Sequence, residues 1–448
     1  MRPVYAGREV SFHPHLCGCG PPPLLSRLVS AGLRFHNPRV EHVEAVVIGA
    51  GQAGLSASHE LTDRGIEHVV LERGELGHTW RTRRWRSFRI VSPNSLNLLP
   101  GGEYDGPEPD AFLDTAGLLD YLERYAASFA APIRAATAVS DVRRADDGGF
   151  SVRTTGGELR ARHVVVATGA FGDARVPAMA ANLAPGIHSI HTDDYWAPED
   201  LPEGGVLVVG AGQSGLQIAD ELARAGRAVT VAVGRHGWVP RRVYGRDQMR
   251  WRWDNGDYRS VVADPEKPTL DYPFTFLARW GEIDFNVGTA WRSGVRLAGH
   301  LVAVDGTRAT FAPDLEPLLR SGDAVARTFI HRIRDFVRGR GEDAPEPELE
   351  SHWREAELSK LPHLGTIDLA AEGVGTVIWS TGYRHDFSWI RVPGALAENG
   401  APYQRQGVSR APGIHFVGLH RMWEAGSGTL LGCGWAATNV AEHILRSR

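Results

Sequence analysis

Six glycines in two sets carry the clearest chemical signal in the chain. Gly49, Gly51 and Gly54 form G-x-G-x-x-G, and Gly210, Gly212 and Gly215 repeat it. In such a turn the first glycine takes the tight bend and the second lets a pyrophosphate approach the backbone. The third lets the following helix lie close to the sheet. The helix N-terminus then offers oriented N–H groups and a positive dipole end to phosphate. The acidic partner differs between the two sets. Glu72 lies 23 positions after Gly49, where a carboxylate accepts hydrogen bonds from ribose hydroxyls. The same count from Gly210 reaches Val233, followed by Gly234 and Arg235, with Arg241 and Arg242 close behind. A carboxylate there would repel a 2′-phosphate, whereas a guanidinium pairs with it in a forked geometry. FAD is therefore expected in the first cradle and NADPH in the second, with Arg235 as the leading 2′-phosphate contact. Hydride would pass from nicotinamide to flavin.

The elements that must position these glycines are legible beside them. Ala45–Ile48 is an apolar run entering the first turn, a helical stretch follows to Gly65, and a second run, His68–Leu71, ends at Glu72. Val206–Val209 enters the second turn, a helix runs to Gly226, and Val229–Val233 is the next strand. The two units are alike in sequence, GAGQAGLSASHEL against GAGQSGLQIADEL, with Gln213 and Ser214 opening the second helix. Two further apolar strands, 163–169 and 376–382, end in turns at Thr168-Gly169 and Thr381-Gly382. The expected fold is α/β, with two Rossmann-like dinucleotide-binding domains and the NADPH domain inserted in the FAD domain. The FAD domain is assigned residues 43–196 and 383–448, and the NADPH domain 197–382. Residues 1–42, with three consecutive prolines and no lasting periodicity, are read as a flexible extension or as sequence upstream of the true start.

Residues 240–295 break the Rossmann rhythm and are dense in aromatics, among them Trp251, Trp253, Tyr258, Tyr272, Phe274, Phe276, Trp280, Phe285 and Trp291. They are read as an insertion that forms either a small aromatic subcore or a substrate-lining wall. Residues 322–338 have the spacing of an amphipathic helix, 342–348 that of a polar linker, and 434–446 that of a C-terminal helix.

Composition narrows the function. The 448 residues exceed one compact core, and 42% hydrophobic with 23% charged residues is ordinary for a globular protein. A net charge of -4 offers no basic footprint for nucleic acid. No run approaches the ~18 apolar residues of a membrane span, and no secretory signal pattern opens the chain. The cytoplasm is the expected location. Three cysteines cannot build a disulfide framework, and Cys17 and Cys19, even beside His13 and His15, fall short of a metal ligand set, so no metal is expected.

Further motifs give the chain a family likeness. Gly77-His78-Thr79-Trp80 follows the ribose acid Glu72 and its neighbour Arg73, Ala167-Thr168-Gly169 closes a strand, and Ser380-Thr381-Gly382-Tyr383 closes another. Together with both glycine turns these resemble the single-component, two-Rossmann flavin-dependent monooxygenases over residues 43–446. That group includes flavin-containing monooxygenases, plant auxin-pathway enzymes, N-hydroxylases and Baeyer–Villiger enzymes. Residues 87–101 are similar to a subset of bacterial flavoproteins. His191 and Tyr195 keep the family's H-x-x-x-Y spacing, but Ile187 and Pro185 stand where its fingerprint has Gly and Phe.

The resemblance implies that NADPH reduces FAD, and that the reduced flavin meets O₂ to give a C4a-(hydro)peroxyflavin that oxygenates a small organic molecule. It places Asn94 beside the flavin edge, against a plain Pro-Asn turn. It places His191 at the domain hinge, against a structural histidine. It also implies close approach of Gly418 to the flavin, and a C-terminal helix aiming its N-terminus at the ring. An oxidase or NADPH-dependent oxidoreductase without oxygen insertion, and a non-catalytic nucleotide-sensing flavoprotein, are the other functions the motifs allow. The oligomeric state is left open.

Overall fold

The apolar runs become the inner strands of two parallel sheets in the computed structural model, which describes residues 40–169, 171–269, 284–345 and 352–448. In the first sheet, Glu41–Ile48 pairs in parallel with His68–Leu71 on one side and with Gly157–Val166 on the other. Ile133–Arg134 extends it beyond His68–Leu71. The long strand Gly157–Val166 is shared. Its first half pairs antiparallel with Phe150–Thr154, and its second half pairs in parallel with the late strand Ile414–Phe416. Ala45, Val46 and Val47, like Val164, Val165 and Val166, are sealed from solvent on both faces, which is why they read as unbroken apolar runs rather than as an alternation. Glu41 and His42 already pair with Leu159 and Arg160, so the first strand begins inside the segment assigned to the extension.

The second sheet has five parallel strands in the order His188–His191, Val374–Trp379, Gly205–Val209, Val229–Ala232 and Arg296–Ala298. It therefore reaches back before residue 197, to an edge strand that the assigned domain limits left with the FAD domain. A three-stranded antiparallel sheet, Leu301–Asp305, Arg308–Phe311 and Thr366–Asp368, covers it. The chain crosses from the first sheet to the second through residues 167–187 and returns through 380–390. The two crossings are tied, because Tyr383–Arg384 pairs antiparallel with Asp173–Ala174.

The amphipathic helix runs from Leu315 to Gly339, seven residues longer at its start than its periodicity predicts. Pro317 sits in the first turn, where no backbone donor is needed. Gly322 is not a boundary but a packing position, since a Cβ there would stand 2.6 Å from His236 Nε2. In the aromatic-rich segment most of the described rings fill cores, while Trp253 is exposed and stacks on Trp435. Trp251 packs with Phe329, Ile330 and Ile333, and Phe285 and Trp291 join the core under the second sheet. Tyr272, Phe274, Phe276 and Trp280 lie outside the described residues, as do Cys17 and Cys19.

One contact joins the two nucleotide units through their interiors. Trp85 belongs to the first unit by sequence but is buried in the core of the second sheet with Tyr195, Val208 and Leu216. Removing that indole by Trp85→Ala is expected to cost about 3–5 kcal/mol. Urea denaturation should show the loss as a lowered midpoint.

Candidate cofactor and active site

Both glycine turns have the geometry their spacing requires. Gly49 has φ 109° and Gly210 φ 111°, left-handed values that a side chain resists. A Cβ on Gly49 would stand 2.5 Å from the Ala167 carbonyl oxygen, and one on Gly210 would stand 2.3 Å from that of Ser380. Gly51 and Gly212, by contrast, face open space, the approach a pyrophosphate uses. Gly54 and Gly215 press their helices against the turn itself, with a Cβ falling 1.7 Å and 2.2 Å from the carbonyl oxygens of Gly49 and Gly210. The helices Gln52–Asp63 and Gln213–Arg224 begin with no side-chain cap, which leaves their first N–H groups turned toward the turn mouth.

A cavity of about 270 Å³ runs from the first cradle along the end of the first sheet. Gly49, Gly51, Glu72, Arg73, Gly77, Trp80, Thr168, Gly169 and Gly418 line it, all of them expected cofactor residues. Glu72 is buried, and its two carboxylate oxygens accept from the backbone N–H groups of Ala50 (2.8 Å) and Gly74 (3.1 Å). The carboxylate is thus held still, with lone pairs left over for ribose hydroxyls. Gly77 (φ 68°) opens the short helix His78–Thr82 that carries Trp80. Gly418 brings the end of the last strand so close to the first helix that its Cβ would meet that of Ala53 at 2.1 Å.

Two residues of the cavity wall escaped the sequence reading. Gln52 donates from Nε2 to the Gly428 carbonyl at 3.1 Å, while its buried Oε1 has no partner. Arg84 lies 4.8 Å over the Trp80 ring and 5.3 Å over Phe171, and its buried Nε likewise has none. Burial holds its guanidinium below the ordinary arginine range. An orphaned acceptor and an orphaned donor in one cleft ask for a ligand bearing both hydroxyls and anionic oxygens, as FAD does. Arg84 lies past the end of the helix that carries Trp80, so no helical spacing marks it in the sequence.

The second cradle carries its own selectivity. Val233, the counterpart of Glu72, is completely buried, and Arg235 is exposed just past the strand end with no hydrogen bond or ion pair among the described residues. Arg241 and Arg242 are differently placed. Arg241 is buried against Val91 and Phe112, and Arg242 bonds the Gly245 carbonyl, so neither shares the position of Arg235.

Asn94, His191, Thr381 and Tyr383 are spent on structure. The Asn94 side chain donates to the Glu108 carbonyl at 2.9 Å and accepts from the Leu113 N–H at 3.0 Å, clamping one loop to another. His191 Nδ1 accepts from the Asp193 N–H at 3.2 Å, so Nε2 carries the proton and meets the Gly382 carbonyl at 3.2 Å. Burial pushes its imidazole pKa down, against the pull of Asp193, and the ring is neutral near pH 7. Tyr383 bonds Asp193 at 2.5 Å, and burial lifts its phenol to about 12. Thr381 donates to the Arg175 carbonyl. Thr381 joins the two chain crossings, His191 and Tyr383 tie the returning crossing to the end of the edge strand His188–His191 and to Asp193 just after it, and neither these nor Asn94 line the cavity of the first cradle. No cluster of metal-ligating side chains occurs among the described residues, and none of their helices is long and apolar enough to span a membrane.

Residues 46–245 match the family described as pyridine nucleotide-disulphide oxidoreductase. An uncharacterized CzcO-like oxidoreductase of Geobacillus kaustophilus is 28% identical over 405 residues, 90% of this chain and 98% of that one. Both the matched family and this relative are oxidoreductases. The indole-3-pyruvate monooxygenase YUCCA1 of Oryza sativa subsp. japonica is 37% identical over 210 residues, but these make up 45% of this chain and 50% of that one. The fold is that of a flavin-containing monooxygenase from Stenotrophomonas maltophilia, at a TM-score of 0.63 and 20% identity, covering 91% of this chain and 99% of the other.

Two substitutions test the assignment of the cradles. Losing the charged hydrogen bonds of Glu72 in Glu72→Ala should weaken FAD binding by about 1.5–3 kcal/mol, roughly ten- to a hundredfold, measured by fluorescence titration of the apoprotein. Arg235→Ala should raise the KM for NADPH by roughly tenfold and leave that for NADH unchanged, the mark of a lost 2′-phosphate contact.

Proposed function

We propose that this flavoenzyme is an NADPH-dependent monooxygenase that uses O₂ to oxygenate a small organic molecule, by N-oxygenation or a Baeyer–Villiger-type insertion. The observation that carries the reading is the pairing of two unlike cradles in one chain. One has a fixed ribose carboxylate, and the other has a buried valine and an exposed arginine in its place. Bound FAD, once reduced by NADPH, supplies the activation of O₂. The chain's own residues have the remaining tasks. Glu72 and the first helix N-terminus hold the adenosine and pyrophosphate, and Arg84 and Gln52 meet the cofactor along the cleft wall. Arg235 selects the 2′-phosphate. His191, Asp193 and Tyr383 tie the edge strand of the second sheet to the chain returning toward the first.

The family description includes disulphide reduction, and the cysteines speak against it here. Cys433, the cysteine among the described residues, is buried, its thiol pushed up to about 11 by burial, and its sulfur lies 3.3 Å from the Ser56 hydroxyl. A redox thiol needs the opposite, a lowered pKa and access.

The purified holoenzyme supplied with NADPH and ¹⁸O₂ should place one heavy oxygen atom in an amine or ketone product for each NADPH oxidised. Stoichiometric hydrogen peroxide across amine, sulfide and ketone panels, with no labelled product, would instead make it an oxidase.

A further inference from the structure

The segment between the strand Val229–Ala232 and the helix Val287–Arg292 belongs by sequence to the nicotinamide side, yet it is anchored on flavin-side elements at two separate places. The first anchor is Arg241, whose side chain is fully buried. Its Nη1 donates to the Val91 carbonyl at 2.9 Å, its guanidinium lies 4.5 Å over the Phe112 ring, and the Asp247 carboxylate stands 2.5 Å away. The Asp284 carboxylate accepts its backbone N–H at 2.7 Å.

The second anchor is a short antiparallel ladder between 258–262 and 423–426. Val262 N–H meets the Trp423 carbonyl at 2.9 Å, and the N–H groups of Ala425 and Gly426 meet the Ser260 and Tyr258 carbonyls at 3.0 Å each. Arg259 and Glu424 add an ion pair at 3.2 Å. Two residues past Gly426 is Gly428, which lines the cofactor cavity and accepts from Gln52.

Val91 begins the loop that Asn94 clamps, and Leu96 at its end packs on Met249, Tyr258 and Leu431, where the loop, the segment and the C-terminal glycine loop meet. A buried guanidinium is a costly way to fill space, and an apolar side chain of similar volume does so without desolvating a charge. What an arginine adds is direction: a planar fork fixed by a carbonyl, a ring and a carboxylate at once.

We propose that Arg241 is a positioning residue that sets the register of the nicotinamide-side segment against the flavin-side loop Ile90–Leu96, and with it the rate at which NADPH reduces the flavin. The inference rests on the function proposed above. Holoenzyme and NADPH, mixed rapidly without oxygen, report it as the loss of the yellow flavin absorbance. In Arg241→Met the limiting rate at saturating NADPH should fall at least about tenfold, the scale set by a sub-ångström to ångström misplacement of reactants, while the Kd for NADPH stays within about threefold. Arg241→Lys, which keeps the charge but not the fork, should recover only part of the rate.

A second readout needs no cofactor. In the Met variant, backbone amides of residues 90–97 should exchange with deuterium roughly tenfold faster, while those of Gly157–Val166 stay unchanged. If Arg241→Met does not fold, Asp247→Asn is read by the same two measurements. Reduction at the wild-type rate, a loss confined to the Kd, or unaltered exchange at 90–97 overturns the proposal. A wild-type flavin that NADPH fails to reduce would overturn the monooxygenase reading instead, leaving the exchange experiment to decide the register by itself.

Discussion

The approach of a helix to its own turn is the constraint on which the rest of this molecule depends. At Gly54 there is no room for one carbon atom between the helix and the Gly49 carbonyl, and at Gly215 the same holds against Gly210. That closeness fixes where each helix starts and keeps its first N–H groups uncapped. It also brings the ends of the neighbouring strands, Ala167 and Ser380, under the first glycine. A phosphate site made of backbone cannot be adjusted by rotating a side chain, so the sheet has to be right before the site exists. Both sheets are built accordingly. Their central strands are buried on both faces, and the glycines and carboxylate of the first cradle come from strand ends and the turns beyond them.

Selectivity is then a matter of single positions on equivalent scaffolds. Glu72 and Val233 stand at the same count from their first glycines. The carboxylate of Glu72 is immobilised by two backbone donors, which removes the entropy a loose side chain would lose on binding. The buried Val233 contributes packing only, and the work of recognition passes to the exposed Arg235 beyond it. On the proposed function, one unit would read ribose hydroxyls with a rigid acceptor and the other a phosphate with an exposed cation. The first suits a cofactor that stays bound, the second a nucleotide that must leave after each turnover.

Much of this was legible because period and glycine spacing are local. The apolar runs Ala45–Ile48, His68–Leu71, Val206–Val209 and Val229–Val233, the two turns and the C-terminal helix all follow from neighbouring residues, whereas the polar start of the first strand at Glu41 does not. What the sequence left open depends on partners distant along the chain. Asn94 looks like an amide available for chemistry until Glu108 and Leu113 are seen to use both of its ends. His191 and Tyr383 resemble site residues because they flank the crossings, yet their bonds run to Asp193 and Gly382. Arg84 was one basic residue among several between Arg81 and Arg86, and only the rings of Trp80 and Phe171 set it apart. Aromatic density at 240–295 pointed equally to a core and to a wall. The described rings chose the core, because Trp251 and Trp291 face the long helix and the second sheet.

The two nucleotide units have to do more than exist in one chain, since hydride transfer needs reacting atoms within about 3–3.5 Å. Two chain crossings alone would leave the sheets free to rotate about a pair of strands. Three further devices oppose that. Tyr383–Arg384 pairs with Asp173–Ala174, Trp85 inserts into the second core, and the segment after Val229–Ala232 is pinned to flavin-side loops by Arg241 and the 258–262 ladder. They differ in kind: a backbone ladder fixes direction, an indole fixes depth, and a buried guanidinium fixes register. Because each comes from a different part of the chain, no single loop displacement releases the halves. One of the pinned flavin-side loops, 423–432, carries Gly428 of the cavity wall. A structure of this kind couples the approach of nicotinamide to the shape of the flavin cleft through its joints, with the glycine cradles serving as the fixed points at either end.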